Sequence, residues 1–187
     1  MIRMSGVTLL VMVSAAARVE AQGVRTTFAI TSSDVKAGRM IAAPQVFNGM
    51  ACTGGNISPA LKWQGAPATA KSFAITVYDP DAPTGSGWWH WVVYNIPGTV
   101  TELPAGAGAV NSTLLPAGAK QGNTDFGAPG YGGPCPPNGP VHHYIFTVFA
   151  LNVATLDLPP TATAAMIGFN LRAHAVAKAS LTAIYKQ

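Results

Sequence analysis

Ser72-Phe73-Ala74-Ile75-Thr76-Val77-Tyr78, continued by Asp79-Pro80-Asp81-Ala82-Pro83, is the stretch on which the reading of this chain turns. Phe73, Ile75 and Val77 share one parity, while Ala74, Thr76 and Tyr78 share the other. The segment is therefore a strand with two different faces, closed by a proline turn. Trp91–Ile96 is continuously apolar, β-branched or aromatic, as a strand covered on both faces would be. Tyr144–Leu151 repeats that character through Ile145, Phe146, Val148 and Phe149. Weaker strand signals lie at Thr26–Ser32, where Phe28 and Ile30 alternate with polar neighbours, and at Leu61 and Trp63 before the Gly65-Ala66-Pro67 turn.

Residues 48–60 are dense in turn formers and read as an irregular loop. Residues 97–141 are rich in Gly and Pro without a sustained period. A loop of that length is rarely kept in a compact domain unless it is packed and functional. Only the C-terminus reads helical. Pro159-Pro160-Thr161 is a start signal with Thr161 as N-cap, and Ile167, Leu171, His174, Ala177, Leu181 and Ile184 recur at helical spacing. One helix is expected over 161–184. The fold class that follows is mainly β: an antiparallel β-sandwich with a C-terminal helix. There is no internal repeat and no sign of a second domain.

Charged residues make up 10% of the 187-residue chain, far below the usual figure of about 25%. With 20 glycines and 15 prolines, this composition suits a compact, loop-rich domain and excludes a disordered or coiled-coil chain. Residues 1–21 read as a signal peptide: Arg3, an apolar run from Val7 to Ala17, then a small-x-small site at Val19-Glu20-Ala21. The run is too short to span a bilayer, which takes about 20 residues. A periplasmic or secreted domain over 22–187 is expected. Losing Arg3, Arg18 and Glu20 leaves nine basic and six acidic residues, the bases spread singly along the chain. Nucleic-acid binders cluster theirs, so no nucleic-acid partner is expected. Cys52 and Cys135 are the only cysteines. In an exported chain they read as one disulfide, the alternative being two buried thiols.

Chemistry concentrates in three places. Two of the six remaining carboxylates, Asp79 and Asp81, sit in the Asp79–Pro83 turn, where alternating prolines hold them in fixed directions. Taken alone, either could simply make Asx-type turn bonds. Gly87-Trp88-Trp89-His90-Trp91 leads into one strong strand, and Gly133-Pro134-Cys135-Pro136-Pro137 with Val141-His142-His143-Tyr144 leads into another. His142 and Tyr144 share a strand parity; His143 has the opposite one. Three of the four histidines thus sit beside Gly/Pro loops, where binding residues gather.

These segments resemble the phosphatidylethanolamine-binding-protein family. Asn56-Ile57-Ser58-Pro59-Ala60-Leu61-Lys62-Trp63 is similar to its N-x-S-P-x-L-x-W segment, and Asp79–Pro83 to its D-P-D-A-P signature. Trp89–Pro97 resembles its H-W-V-V-x-N-I-P strand, and Gly132–Tyr144 its G-P-x-P-P and H-x-Y motifs. The ordered set spans about 47–185 and fits best the bacterial branch described as Raf-kinase-inhibitor-like. The resemblance implies a pocket lined by Asp79, His90, His142 and Tyr144, with backbone of Gly133 and Pro137 on its rim. It also implies a cis Ala82–Pro83 bond. One departure stands out: the residue between the motif's His and Tyr is commonly Arg, and here it is His143.

Imidazole and phenol groups donate hydrogen bonds to phosphate or carboxylate oxygens. The expected partner is a small anionic ligand: phosphate, a phosphoethanolamine head group or a carboxylate. Its affinity should rise as the histidines protonate. Asp79, His90 and His142 are also a conceivable zinc set, but no local ligand spacing supports one, so no metal and no cofactor are expected. No Gly-x-Ser-x-Gly elbow accompanies Ser58 or Ser86, so the chain is read as a binder and not an enzyme. A protein target, such as a protease or kinase, is the reading from another class, and a homodimer is compatible with the sequence.

Overall fold

The computed structural model describes residues 27–187; the proposed signal peptide lies outside them. Ten strands and one α-helix follow in order: β1 Ala29–Thr31, β2 Asn48–Gly49, β3 Cys52–Thr53, β4 Leu61–Gln64, β5 Ser72–Asp79, β6 Trp88–Pro97, β7 Glu102–Leu103, β8 Lys120–Gln121, β9 His142–Leu151, α1 Ala164–His174 and β10 Ala175–Tyr185. The large sheet runs β10-β9-β5-β6-β8, a smaller one β1-β4-β7, and β2-β3 is a short hairpin. Every named pairing is antiparallel.

The large sheet is covered on both faces, as the unbroken apolar run of β6 requires. Phe73, Ile75 and Val77 of β5, Trp91 and Val93 of β6, and Tyr144, Phe146 and Val148 of β9 form one core with Ile30, Leu61, Trp63 and Leu103 of the small sheet. The opposite parity, Ala74, Val92, Tyr94 and Leu151, packs with Ala164, Ile167 and Leu171 of α1. The chain is thus an antiparallel sandwich with a helical cover.

Two bulges shape β6. Val77 pairs with Trp91 but Tyr78 with Trp89, so His90 is an extra residue opposite no partner. A bulge turns two successive side chains toward one face, which lets His90 share the inner face with Trp91. The second bulge falls between the Phe73 and Ile75 pairings; Asn95 takes a left-handed φ of 59° there. Its amide holds Leu156 in both directions, at 2.7 and 3.2 Å.

The C-terminal expectation needs correction. The helix over 161–184 ends at His174, and residues 175–185 are an eleven-residue strand along β9. Ala177, Leu181 and Ile184 satisfy a helical spacing, but β9 offers an open edge of unpaired backbone groups. Val176, Thr182 and Ile184 suit a strand, and pairing overrides the weak helix preference of the alanines. The N-cap is Thr163, not Thr161: its Oγ1 accepts the Met166 N–H at 3.2 Å, while Pro159 and Ala162 close a turn before it.

The cis Ala82–Pro83 bond is also absent, since every described peptide is trans. The reversal is made instead by side chains. Asp79 Oδ1 accepts the Asp81 N–H at 2.8 Å, and Thr84 Oγ1 donates to the Gly87 carbonyl at 2.6 Å.

Candidate functional site

The Asp79–Pro83 turn meets the start of β9 through two Asp–His pairs. Asp79 ends β5 with the parity of its inward residues and is buried. Its Oδ2 accepts from His142 Nδ1 at 2.8 Å, so both carboxylate oxygens are occupied by donors. His143, on the other parity, points outward. Both its backbone N–H and its ring Nδ1 reach Asp81 Oδ2 at 2.7 Å. Partial burial raises the Asp81 pKa, but the hydrogen bonds and charge of His143 outweigh it and hold the carboxyl below its ordinary value.

His90, placed by its bulge, contacts the Gly132 carbonyl through Nδ1 at 2.7 Å. A carbonyl only accepts, so Nδ1 carries the proton and Nε2 keeps a lone pair. Among the described residues, the one well-formed hydrogen bond of the ring is this one at Nδ1, with the Gly133 backbone a further contact. Burial depresses the His90 pKa to about 4, against the opposing pull of the Gly132 carbonyl and Asp79. The free protein therefore holds His90 neutral near pH 7.

Tyr144 completes the floor. Its ring is buried and meets His90 edge-on, with centroids 5.1 Å apart. Among the described residues its hydroxyl has no well-formed hydrogen bond; the Asp79 carboxylate is close enough to act on it but already accepts from His142 and the Asp81 N–H. Burial first, and the Asp79 charge second, push the phenol pKa up, so Tyr144 remains an O–H donor at neutral pH.

Asp79, His90, His142 and Tyr144 converge on one cavity of about 170 Å³. Its walls are largely apolar: Met50, Trp88, Phe126, Pro83, Cys135 and Pro137. Phe126 meets the Trp88 ring edge-on at 5.5 Å and stacks on Phe47 at 4.6 Å. Among the described residues, no lysine or arginine lines the cavity. Met50, Phe126 and Cys135 were not anticipated as wall residues, because nothing in an irregular loop fixes which side chains turn inward. Pro137 lines the cavity. The Gly133 backbone reaches the His90 ring and donates to Asn56 Oδ1 at 2.8 Å, and a side chain there would strike the Gln45 carbonyl and the Phe47 nitrogen.

Cys52 and Cys135 form a disulfide that ties the β2–β3 hairpin to this wall, with the Gln187 amide donating to both sulfurs and to Pro136 O. Among the described residues, no three His, Cys, Asp or Glu side chains are grouped to hold a metal ion.

A family model described as "Phosphatidylethanolamine-binding protein" matches residues 31–186. The chain belongs to that family. Two curated members from Escherichia coli (strain K12) are similar over most of their lengths. UPF0098 protein YbcL is 51% identical over 85% of this chain and 87% of its own. UPF0098 protein YbhB is 49% identical over 83% of this chain and 98% of its own. The crystal structure of E. coli YbcL, described as a new member of the mammalian PEBP family, superposes with a TM-score of 0.84 at 50% identity. It covers 86% of this chain and 98% of YbcL. The PEBP homologue CT736 of Chlamydia trachomatis follows at 0.71 and 32% identity, covering 86% of this chain and 97% of its own. The DPDAP turn, the bulged His90 and the His142–Tyr144 pair thus sit on the PEBP fold.

Proposed function

We propose that this PEBP-family chain is an exported, non-catalytic binding protein whose cavity holds one small phosphate- or carboxylate-bearing molecule. The observation that carries the reading is the Tyr144 hydroxyl, buried on the cavity floor without a partner. A buried polar group left unpaired costs about 1–3 kcal/mol, and an oxygen of a bound ligand would relieve it. Apolar walls over a few convergent polar groups are the usual build of a small-molecule site.

The same groups supply no nucleophile with a free base beside it. Apart from Tyr144, Thr84 is the hydroxyl on the lining, and its proton is engaged by the Gly87 carbonyl. Asp79 is occupied at both oxygens and is poorly placed to act as a base. Export is supported by the leader-like residues 1–21 and by the disulfide, a bond that persists in oxidising compartments. Calorimetry with phosphate, phosphoethanolamine and acetate at about pH 5.5 and 7.5, bracketing the ordinary His pKa, tests the proposal. Saturable binding without ester turnover is expected. Absence of binding at both pH values would reject the pocket as an anion site, and turnover lost in His142→Ala would make the protein an enzyme.

A further inference from the structure

We infer that the cavity takes its ligand as a hydrogen-bond donor as well as an acceptor: it selects a phosphoryl group that still carries a proton, such as monohydrogenated phosphate monoester or dihydrogen phosphate. The inference rests on the binding role proposed above and specifies the chemical form of the ligand.

Two floor groups present opposite demands. Tyr144 Oη is an unpartnered donor for a ligand oxygen. His90, fixed with its proton on Nδ1 by the Gly132 carbonyl, offers the lone pair of Nε2. A phosphomonoester dianion or a sulfate would satisfy Tyr144 but set an oxygen lone pair against that of His90. The clash leaves two buried acceptors without a proton between them. A ligand O–H answers both: its P–O oxygen accepts from Tyr144, and its hydroxyl donates to His90.

The charges around His90 point the same way. From β5 it faces the Asp79 carboxylate, from β9 Tyr144, and from the loop before the wall Asp125, with His142 on the same lining. Asp79 is tied to His142, and Asp125 to the Trp89 N–H at 2.7 Å. Among the described residues no lysine or arginine on the lining offsets these carboxylates, so no permanent cation there favours a dianion. Adding a proton to His90 instead is opposed by its burial, which holds its pKa near 4.

Four ligands separate the alternatives: inorganic phosphate, methyl phosphate, dimethyl phosphate and sulfate, titrated calorimetrically at about pH 5.5 and 8, either side of a phosphomonoester's second pKa near 6. Methyl phosphate and dimethyl phosphate are both monoanions at the lower pH, and only the first has an O–H. Methyl phosphate should bind at the lower pH and weaken by about tenfold or more at the higher, whereas inorganic phosphate, which keeps one P–O–H as hydrogen phosphate, should weaken less. Sulfate and dimethyl phosphate should bind at least about tenfold more weakly than methyl phosphate at the lower pH. In His90→Ala the methyl phosphate to sulfate ratio should collapse. Because that ratio is read within one protein sample, partial misfolding cannot imitate it.

If sulfate matches methyl phosphate, or gains as much affinity as methyl phosphate when the pH falls, the proton comes from the protein and the inference is wrong while the anion site stands. If none of the four binds, the site itself fails, and the inference with it.

Discussion

Asp79–His142 and Asp81–His143 are built from the same two side chains, on the same two stretches of chain, at 2.8 and 2.7 Å. Their surroundings differ. The first pair is 3% and 4% exposed and lies on the cavity floor; the second is 39% and 52% exposed and faces water. Alternation along β9 makes the difference, since residues one apart point to opposite faces. A short distance therefore says little about what a pair contributes. Burial decides, because removing one partner strands the other only where water cannot replace it.

The comparison breaks first, and most, at the inner pair. Asp79→Ala should lower the unfolding free energy by about 3 kcal/mol or more, shifting the urea midpoint, because His142 and the Asp81 N–H lose a buried acceptor. A loss no larger than that of Asp81→Ala would mean that the two pairs are equivalent.

The acid dependence of stability sharpens the same contrast. Folding lowers the His90 pKa from its ordinary 6.5 to about 4, so between those values the unfolded chain binds more protons. Stability should fall as pH drops through this window, by up to about 3 kcal/mol, and level off below it. In His90→Phe that slope should flatten. Asp81 acts in the same direction but lower on the scale. Its folded pKa is depressed, so its contribution is complete above the unfolded value of about 4 and fades as pH falls below it.

Smallest is the outer pair itself. Asp81→Ala should cost no more than about 1 kcal/mol, with part of that loss removed by high salt. A salt-insensitive loss would place the effect in the backbone bond to His143 instead of the charge.

Much of this arrangement was legible before any coordinates. Period-two alternation placed Phe73, Ile75 and Val77 inward, and the same parity carries Asp79 inward and sends His143 out. His90 was not legible from parity. A regular strand would set it opposite Trp91, and only a bulge puts both on one face. The resemblance supplied His90 where periodicity could not. The C-terminus misled because Leu171, Ala177, Leu181 and Ile184 fit a helix, while the decisive partner, the β9 edge, lies some thirty residues away in sequence. Phe126, Met50 and Cys135 belong to segments without a period, so their inward turn depends on tertiary packing alone. A glycine in a motif marks close approach, and at Gly133 the approach is to residues 45–47, with its backbone also against His90.

The central claim is that the orphaned Tyr144 hydroxyl is a binding group for a ligand oxygen, and Tyr144→Phe tests it most directly. Removing a buried hydroxyl that no protein group satisfies should leave the free protein as stable as before, or more stable by about 1 kcal/mol. The same substitution should weaken methyl phosphate binding at about pH 5.5 by roughly tenfold or more in calorimetry. Unchanged affinity in a folded Tyr144→Phe variant, or a substantial loss of stability without ligand, would contradict it.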